Sequence, residues 1–194
     1  MTVDEANVLL EKSIYDFDLQ NLKLALENGA DINYDPSVIW AKGKNGLEYA
    51  VATEDSIFSD ALWNLGFKII EAKNDSARKK LEDKAFEVVK FCVERGIRLN
   101  TFYTSRHAVT ETCFAISNYV SCYSEKILSY LLENGLNPNT CIDGSYTICD
   151  DLYDTILYDS EEGFDCAPYE KRMLHVLLDH GGKYSEDILK ECRQ

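Results

Sequence analysis

Three aspartates stand close together in a segment, residues 146–158, that is expected to form a helix. Asp150 and Asp154 are about one helical turn apart and so share a face, and Asp151 stands beside them. Clustered carboxylates can hold a divalent cation or support hydrolysis, but a cation site needs several oxygens that converge on one point. A single rigid helix rarely supplies them, so we expect no metal site and no cofactor. A small carboxylate-metal hydrolase on a helical scaffold is kept as an alternative function.

The histidines and cysteines give no further catalytic set. His175 and His180 are five residues apart and do not share a helix face. His180 falls at a predicted helix C-terminus, where the helix dipole favours a cation. A nucleophilic pair of Cys113 with His107 has no neighbour that would orient the base. Because glycine-rich phosphate loops, H-E-x-x-H pairs and nucleophile elbows are also missing, we predict no catalytic residues and no enzymatic activity.

The overall charge points to the class of partner. The chain has 194 residues, with 34 acids against 20 bases and a formal net charge of −14. Such a surface repels nucleic acid and anionic membranes, and it suits a basic protein. The cysteines are seven, an odd number without any C-x-x-C pair, and no signal peptide or membrane-length apolar run is found. We therefore expect reduced thiols and a cytoplasmic protein.

Four segments of the chain share one pattern that ends in glycine. Apolar residues stand seven and three positions before the glycine, an acid stands two before it, and Asn or Ser stands four after it. The spacing forms one helical stripe, and the glycine suits the left-handed residue that ends a helix. We expect the Asn or Ser side chain to bond local backbone in the following turn. The segments are NLKLALENGADIN, VVKFCVERGIRLN, ILSYLLENGLNPN and MLHVLLDHGGKYS, aligned on Gly29, Gly96, Gly135 and Gly181.

This pattern resembles the second helix and exit turn of the ankyrin repeat family, whose phrase is similar to LLENGADIN. Two further segments, NGLEYAV (45–51) and TETCFAI (110–116), resemble the family's first helix, with Ala50 and Ala115 as its small packing residue. The family's Thr-Pro-Leu-His tetrapeptide is missing throughout. The resemblance implies an all-α, ankyrin-like α-solenoid of about four irregular repeats with helical insertions. Another α-solenoid is the alternative fold.

The resemblance also implies a single repeat domain over residues 1–194. A helical insert at 55–81 carries two apolar stripes, one of them with Trp63 and Phe67, and it either packs inside the repeat stack or docks a partner. The repeats run roughly over 4–33, 45–100, 110–139 and 145–185, with a C-terminal cap at 185–194. The expected helices are 4–14, 18–28, 46–54, 56–73, 77–95, 110–120, 124–134, 146–158, 168–180 and 185–192.

One stretch of the chain carries the predicted interface. Residues 127–170 contain ten acids and no Lys, Arg or His, with aromatic residues, mostly tyrosines, interleaved. Tyrosine gives a large contact area at low entropic cost, and carboxylates steer a basic partner. The resemblance would place these residues on a concave surface, and Trp40 falls in a predicted exit loop. The predicted partner-binding residues are Asp143, Tyr146, Asp150, Asp151, Tyr153, Asp154 and Trp40.

The predicted function is a non-catalytic protein-protein interaction module. An acidic inhibitor or immunity protein that neutralises a basic, nucleic-acid-acting protein is the favoured form, and a generic ankyrin adaptor is the alternative. The expected partner is thus a basic protein, with no nucleic acid and no membrane. The oligomeric state stays open, with a monomer favoured.

Overall fold

The computed structural model describes residues 1–36, 38–42, 48–52, 56–104, 112–143, 146–164 and 166–191. Within these ranges the chain is mostly helical, with three small two-stranded hairpins. The helices are α1 (Val3–Tyr15), α2 (Leu19–Glu27), α3 (Ile57–Ile70), α4 (Asp75–Glu94), α5 (Ala115–Val120), α6 (Glu125–Glu133), α7 (Ile148–Glu162), α8 (Ala167–Asp179) and α9 (Ser185–Glu191). The strands are β1 (Val38–Lys42), β2 (Glu48–Ala52), β3 (Phe102–Thr104), β4 (Thr112–Phe114), β5 (Cys141–Asp143) and β6 (Tyr146–Thr147).

The helices pack in two rows. In one row α1 contacts α3 and α3 contacts α5, and in the other α2, α4, α6 and α8 contact one another in chain order. The rows are joined where α1 packs on α2, α3 on α4, and α7 on α8. One hydrophobic core runs through the helices from α1 to α8. No helix of the described chain is both long enough and apolar enough to cross a membrane.

The glycine pattern of the sequence marks the ends of the second-row helices, as predicted. The four aligned glycines all have positive φ, and at Gly135 it reaches +103°. A side chain would be strained in that conformation, so glycine ends the helix at little cost. The apolar residue seven positions before each glycine is buried: Leu22, Val89, Leu128 and Leu174. The residue three positions before is less uniform, because Leu132 is buried but Leu178 is 38% exposed.

The hairpins correct two predicted helices. Residues 46–54 were expected to form a helix, but Glu48–Ala52 form the strand β2, paired antiparallel with Val38–Lys42. Ala50 therefore lies opposite Trp40 in a hairpin and is not a helical packing residue. The strand pairing prevails because both segments are short and rich in β-branched and aromatic residues. In the second case Thr112–Phe114 form a strand, and the helix begins only at Ala115, which is buried.

The segment predicted as a helical insert is an integral part of the rows. One stripe of α3 buries Phe58, Leu62 and Leu65 against the core. A side chain at Gly66 would collide with the backbone oxygen of Ser121, just beyond α5, at 1.9 Å, so the lack of a side chain allows the close approach of the two helices. The second stripe stays at the surface, with Trp63 at 41% and Phe67 at 48% exposure.

Candidate functional site

The start of α7 is fixed by a reciprocal pair of hydrogen bonds. The Thr147 hydroxyl accepts from the backbone N–H of Asp150 at 3.3 Å, and Asp150 Oδ2 accepts from the backbone N–H of Thr147 at 2.8 Å. This is a capping box. The same carboxylate oxygen accepts from the Ser185 N–H at 3.1 Å, which ties α7 to the start of α9. Asp150, a predicted partner-binding residue, is therefore held by bonds within the chain.

These contacts determine the charge state of Asp150. Partial burial works to raise its pKa, but the hydrogen bonds from Thr147 and Ser185 outweigh burial and hold the pKa below the usual value for aspartate. Asp150 is therefore ionised throughout the neutral range, and its charge faces hydrogen-bond donors of its own chain.

A tyrosine connects the hairpin to the next turn of α7. The Tyr146 hydroxyl donates a hydrogen bond to Asp154 Oδ2. This bond, with some burial, raises the pKa of Tyr146 to about 12. Asp151 is half-buried, and burial followed by the nearby charge of Asp154 raises the pKa of its carboxyl group. The predicted residues Tyr146, Asp150, Asp151 and Asp154 are thus brought together, and each carboxylate has its own surroundings.

Four large apolar or aromatic side chains stand exposed along and just beyond α7. Tyr153 is 47% exposed, Leu157 46%, Tyr158 60% and Phe164 52%. The rings of Tyr158 and Phe164 lie 6.2 Å apart. The exposed carboxylates of the same surface are Asp154, Glu161 and Glu162. We call these seven residues the α7 face.

No base neutralises this surface among the described residues. The ion pairs they form do not include any carboxylate of α7. Two of the bases that follow α7 in the chain are paired elsewhere: Arg172 with Glu125 at 3.0 Å, and Lys183 with Glu191 at 2.6 Å. Exposed apolar area bordered by unpaired charge of one sign is a combination that binding surfaces show.

For two of the predicted partner-binding residues, Asp143 and Trp40, the structure describes the backbone alone. Asp143 is the register partner of Tyr146 in the β5/β6 hairpin, so it lies next to the start of α7. Trp40 lies in β1, and the β3/β4 hairpin comes between its hairpin and that of Asp143. Their side chains lie outside the described residues.

A second cluster lies where α7 ends and α8 begins. Asp159 is 8% and Glu170 4% exposed, and both lie near the half-buried Cys166. Cys166 Sγ lies 2.7 Å from Asp159 Oδ2, and the Tyr123 hydroxyl donates to Glu170 Oε1 at 3.4 Å. Burial, followed by the charge of Asp159, raises the pKa of Glu170 to about 7. Burial and the bond to Asp159 raise the pKa of Cys166 to about 12.

The chain matches no known family, and no curated protein is similar to it at a significant level.

Asp159 and Glu170 are two of the ten acids in the base-free stretch 127–170, which the sequence predicts to form an interface. Their spacing held the signal that they are buried. Asp159 follows Leu152 and Ile156 on the buried stripe of α7, at helical intervals of four and three residues. Glu170 precedes Met173, Leu174 and Leu177 at the same intervals on the buried stripe of α8. A carboxylate on an apolar stripe marks a buried acid that needs a partner.

Proposed function

We propose that this protein is an ankyrin-like repeat module that binds a basic protein through the α7 face. The observation that carries the proposal is the exposure of Tyr153, Leu157 and Tyr158 on one helix, between carboxylates that pair with no base of the described residues. Aromatic side chains are enriched among the residues that contribute most to binding, and fixed charge speeds the encounter with an oppositely charged partner.

The order of the helix contacts supports this proposal. The helices stack in two rows, and the aligned glycines recur at the ends of the second-row helices. Repeat proteins of this kind present an extended surface to which other macromolecules bind. The step from fold to binding is an analogy, and the α7 face supplies the specific surface that the analogy requires.

The α7 acids are better suited to binding than to hydrolysis. Asp150 accepts hydrogen bonds from the helix start, Asp151 is half-buried, and Asp154 accepts from Tyr146. A cation would need these oxygens to converge, and each is oriented by a different neighbour. We therefore propose a non-catalytic role for them.

The partner we favour is a basic protein that acts on nucleic acid, neutralised by this acidic surface. A carboxylate-rich face competes for the same basic groups that contact phosphates. A generic adaptor would bind a basic partner without blocking its nucleic acid. Adding the nucleic acid to the complex distinguishes the two roles, because a neutralising binder is displaced and an adaptor is not.

Site-specific photo-crosslinking identifies the partner and tests the surface together. A photoreactive phenylalanine analogue replaces Tyr158 on the α7 face, and in a matched protein it replaces Leu24, which is 41% exposed on α2. Both proteins are irradiated in a lysate of cells that express the chain, and the products are identified by mass spectrometry. We expect a basic protein to crosslink from position 158 and not from position 24. Equal crosslinking from both positions, or an acidic product from position 158, would contradict the proposal.

A further inference from the structure

The cluster at the junction of α7 and α8 has the composition of a metal site. Asp159 lies in the last turn of α7, Cys166 is the N-cap of α8, and Glu170 follows one turn later. One ligand atom from each residue lies within 4.8 Å of the other two. Cys166 and Glu170 are four residues apart and share a helix face, so both can face the end of α7.

The cluster contains one buried carboxylate oxygen that accepts no hydrogen bond. Glu170 is 4% exposed, and its Oε2 atom has no hydrogen-bond partner. Neither Glu170 nor Asp159 forms an ion pair with any Lys, Arg or His of the described chain. Burying two carboxylates without a base to pair with them is costly, and a bound cation would offset that cost.

We propose that Asp159, Cys166 and Glu170 bind one zinc ion that joins the end of α7 to the start of α8. A thiolate with two carboxylates is a mixed soft and hard donor set, which suits zinc and not calcium or magnesium, whose ligands are oxygens alone. The Tyr123 hydroxyl donates to Glu170 Oε1 and would orient that ligand. The site is independent of the proposed binding function, because all three ligands are separate from the α7 face.

Binding would change the proton balance of the cluster. Cysteine binds zinc as the thiolate, so metal binding and loss of the Cys166 proton are coupled. The proton is released to solvent as the zinc–sulfur bond forms. No oxidation or reduction takes part. The ion would stabilise the folded chain, because the unfolded chain does not hold the three ligands together.

Cobalt serves as a spectroscopic probe of the site. The purified full-length chain is stripped with a chelator and titrated with Co²⁺, followed by displacement with Zn²⁺. We expect one equivalent of Co²⁺ to give a sulfur-to-cobalt absorption band that Zn²⁺ abolishes, together with a rise in melting temperature. The Cys166→Ser variant should lack the band, and Glu170→Gln should bind at least about tenfold more weakly.

The Cys141→Ser variant is the matched control, because Cys141 is an exposed free cysteine outside the cluster. It should keep the band and the affinity of the unmodified chain. Lack of a band in the unmodified chain, or an unchanged band in Cys166→Ser, would overturn the proposal. The first of these results does not depend on whether any variant folds, and neither bears on the α7 face.

Discussion

The side chain of Asn100 forms two hydrogen bonds to the backbone of the turn that begins at Gly135. Its Nδ2 donates to the Gly135 carbonyl oxygen at 2.9 Å, and its Oδ1 accepts from the Asn137 N–H at 2.8 Å. Asn33 and Asn139 repeat the arrangement with the next glycine turn along the chain. The sequence pattern predicted local bonds for these asparagines, which is wrong: each connects two turns that are distant in sequence. These hydrogen bonds between successive turns explain why an asparagine stands four residues after three of the four glycines.

Replacing Asn100 with Ala should destabilise the stack. It removes two hydrogen bonds between neighbouring turns, each worth about 0.5–1.5 kcal/mol, so we expect a loss of about 1–3 kcal/mol in the free energy of unfolding. The control is Asn134→Ala, because the Asn134 side chain donates to the Tyr130 carbonyl of its own helix and to no other residue of the described chain. Urea denaturation measures both variants. Equal losses would mean that the bonds between turns contribute nothing beyond a local cap.

The two apolar positions of the repeat pattern should contribute differently to the free energy of unfolding, because one is buried and the other is partly exposed. Leu128 is fully buried, and Leu128→Ala should cost about 2–5 kcal/mol, as deletion of a buried leucine does. Leu178 occupies the other apolar position of the pattern and is 38% exposed, so Leu178→Ala should cost less than Leu128→Ala, because less apolar area is removed from water at position 178. Thermal or chemical unfolding reports both values. Similar losses for the two variants would contradict the packing of the stripe.

The capping carboxylate of α7 should make stability depend on pH. Folding lowers the pKa of Asp150, so its contribution is complete above the unfolded pKa of about 3.9 and is lost as the pH falls through the folded pKa. Asp150→Asn should cost about 0.5–1 kcal/mol at pH 7, and the difference from the unmodified chain should vanish in acid. Glu161→Gln, on the exposed end of the same helix, should show little change. A constant difference across the range would show that the charge of Asp150 is not what stabilises the cap.

The sequence predicts those features of the fold that depend on local interactions, and it does not predict those that depend on contacts between distant residues. The glycine at each helix end and the stripe through Leu128 are local patterns, so they are visible in the sequence. The partner of Asn100 lies 35 residues away, and no local pattern encodes it. The strand at Ala50 depends on pairing with a second segment, which overrides its resemblance to a helix.

The same distinction holds for the candidate site. The base-free stretch and its tyrosines are properties of the sequence, and the helix predicted there at 146–158 is present as α7 (Ile148–Glu162). Asp150 also accepts a hydrogen bond from the Ser185 N–H, and this contact depends on where α9 lies relative to α7. Exposure of Leu157 and burial of Asp159 follow from which face of α7 packs on α8.

Aromatic residues of the α7 face should control how long a partner stays bound. Tyr158 is 60% exposed, so Tyr158→Ala should leave the free energy of unfolding nearly unchanged. If it contributes as interface tyrosines do, dissociation should become about tenfold faster, which corresponds to about 1.4 kcal/mol. Leu24→Ala on α2 is the control. Surface plasmon resonance with the purified crosslinking partner measures the rates, and an unchanged dissociation rate would remove Tyr158 from the interface.

The most direct test of the proposed binding surface is the association rate of that partner as a function of salt. One variant carries Asp154→Asn, Glu161→Gln and Glu162→Gln, which leaves the cap at Asp150 intact. Its control removes the same charge at exposed acids of other helices or helix ends, with Glu27→Gln, Glu71→Gln and Glu87→Gln. Attraction between charges is screened over about 10 Å at 0.1 M salt, so association of the unmodified chain should slow steeply as salt rises. We expect the α7 variant to associate slowly at low salt with a flatter dependence, and the control to behave nearly as the unmodified chain does. An α7 variant whose rate and salt dependence match those of the unmodified chain would contradict the proposal that this face binds a basic protein.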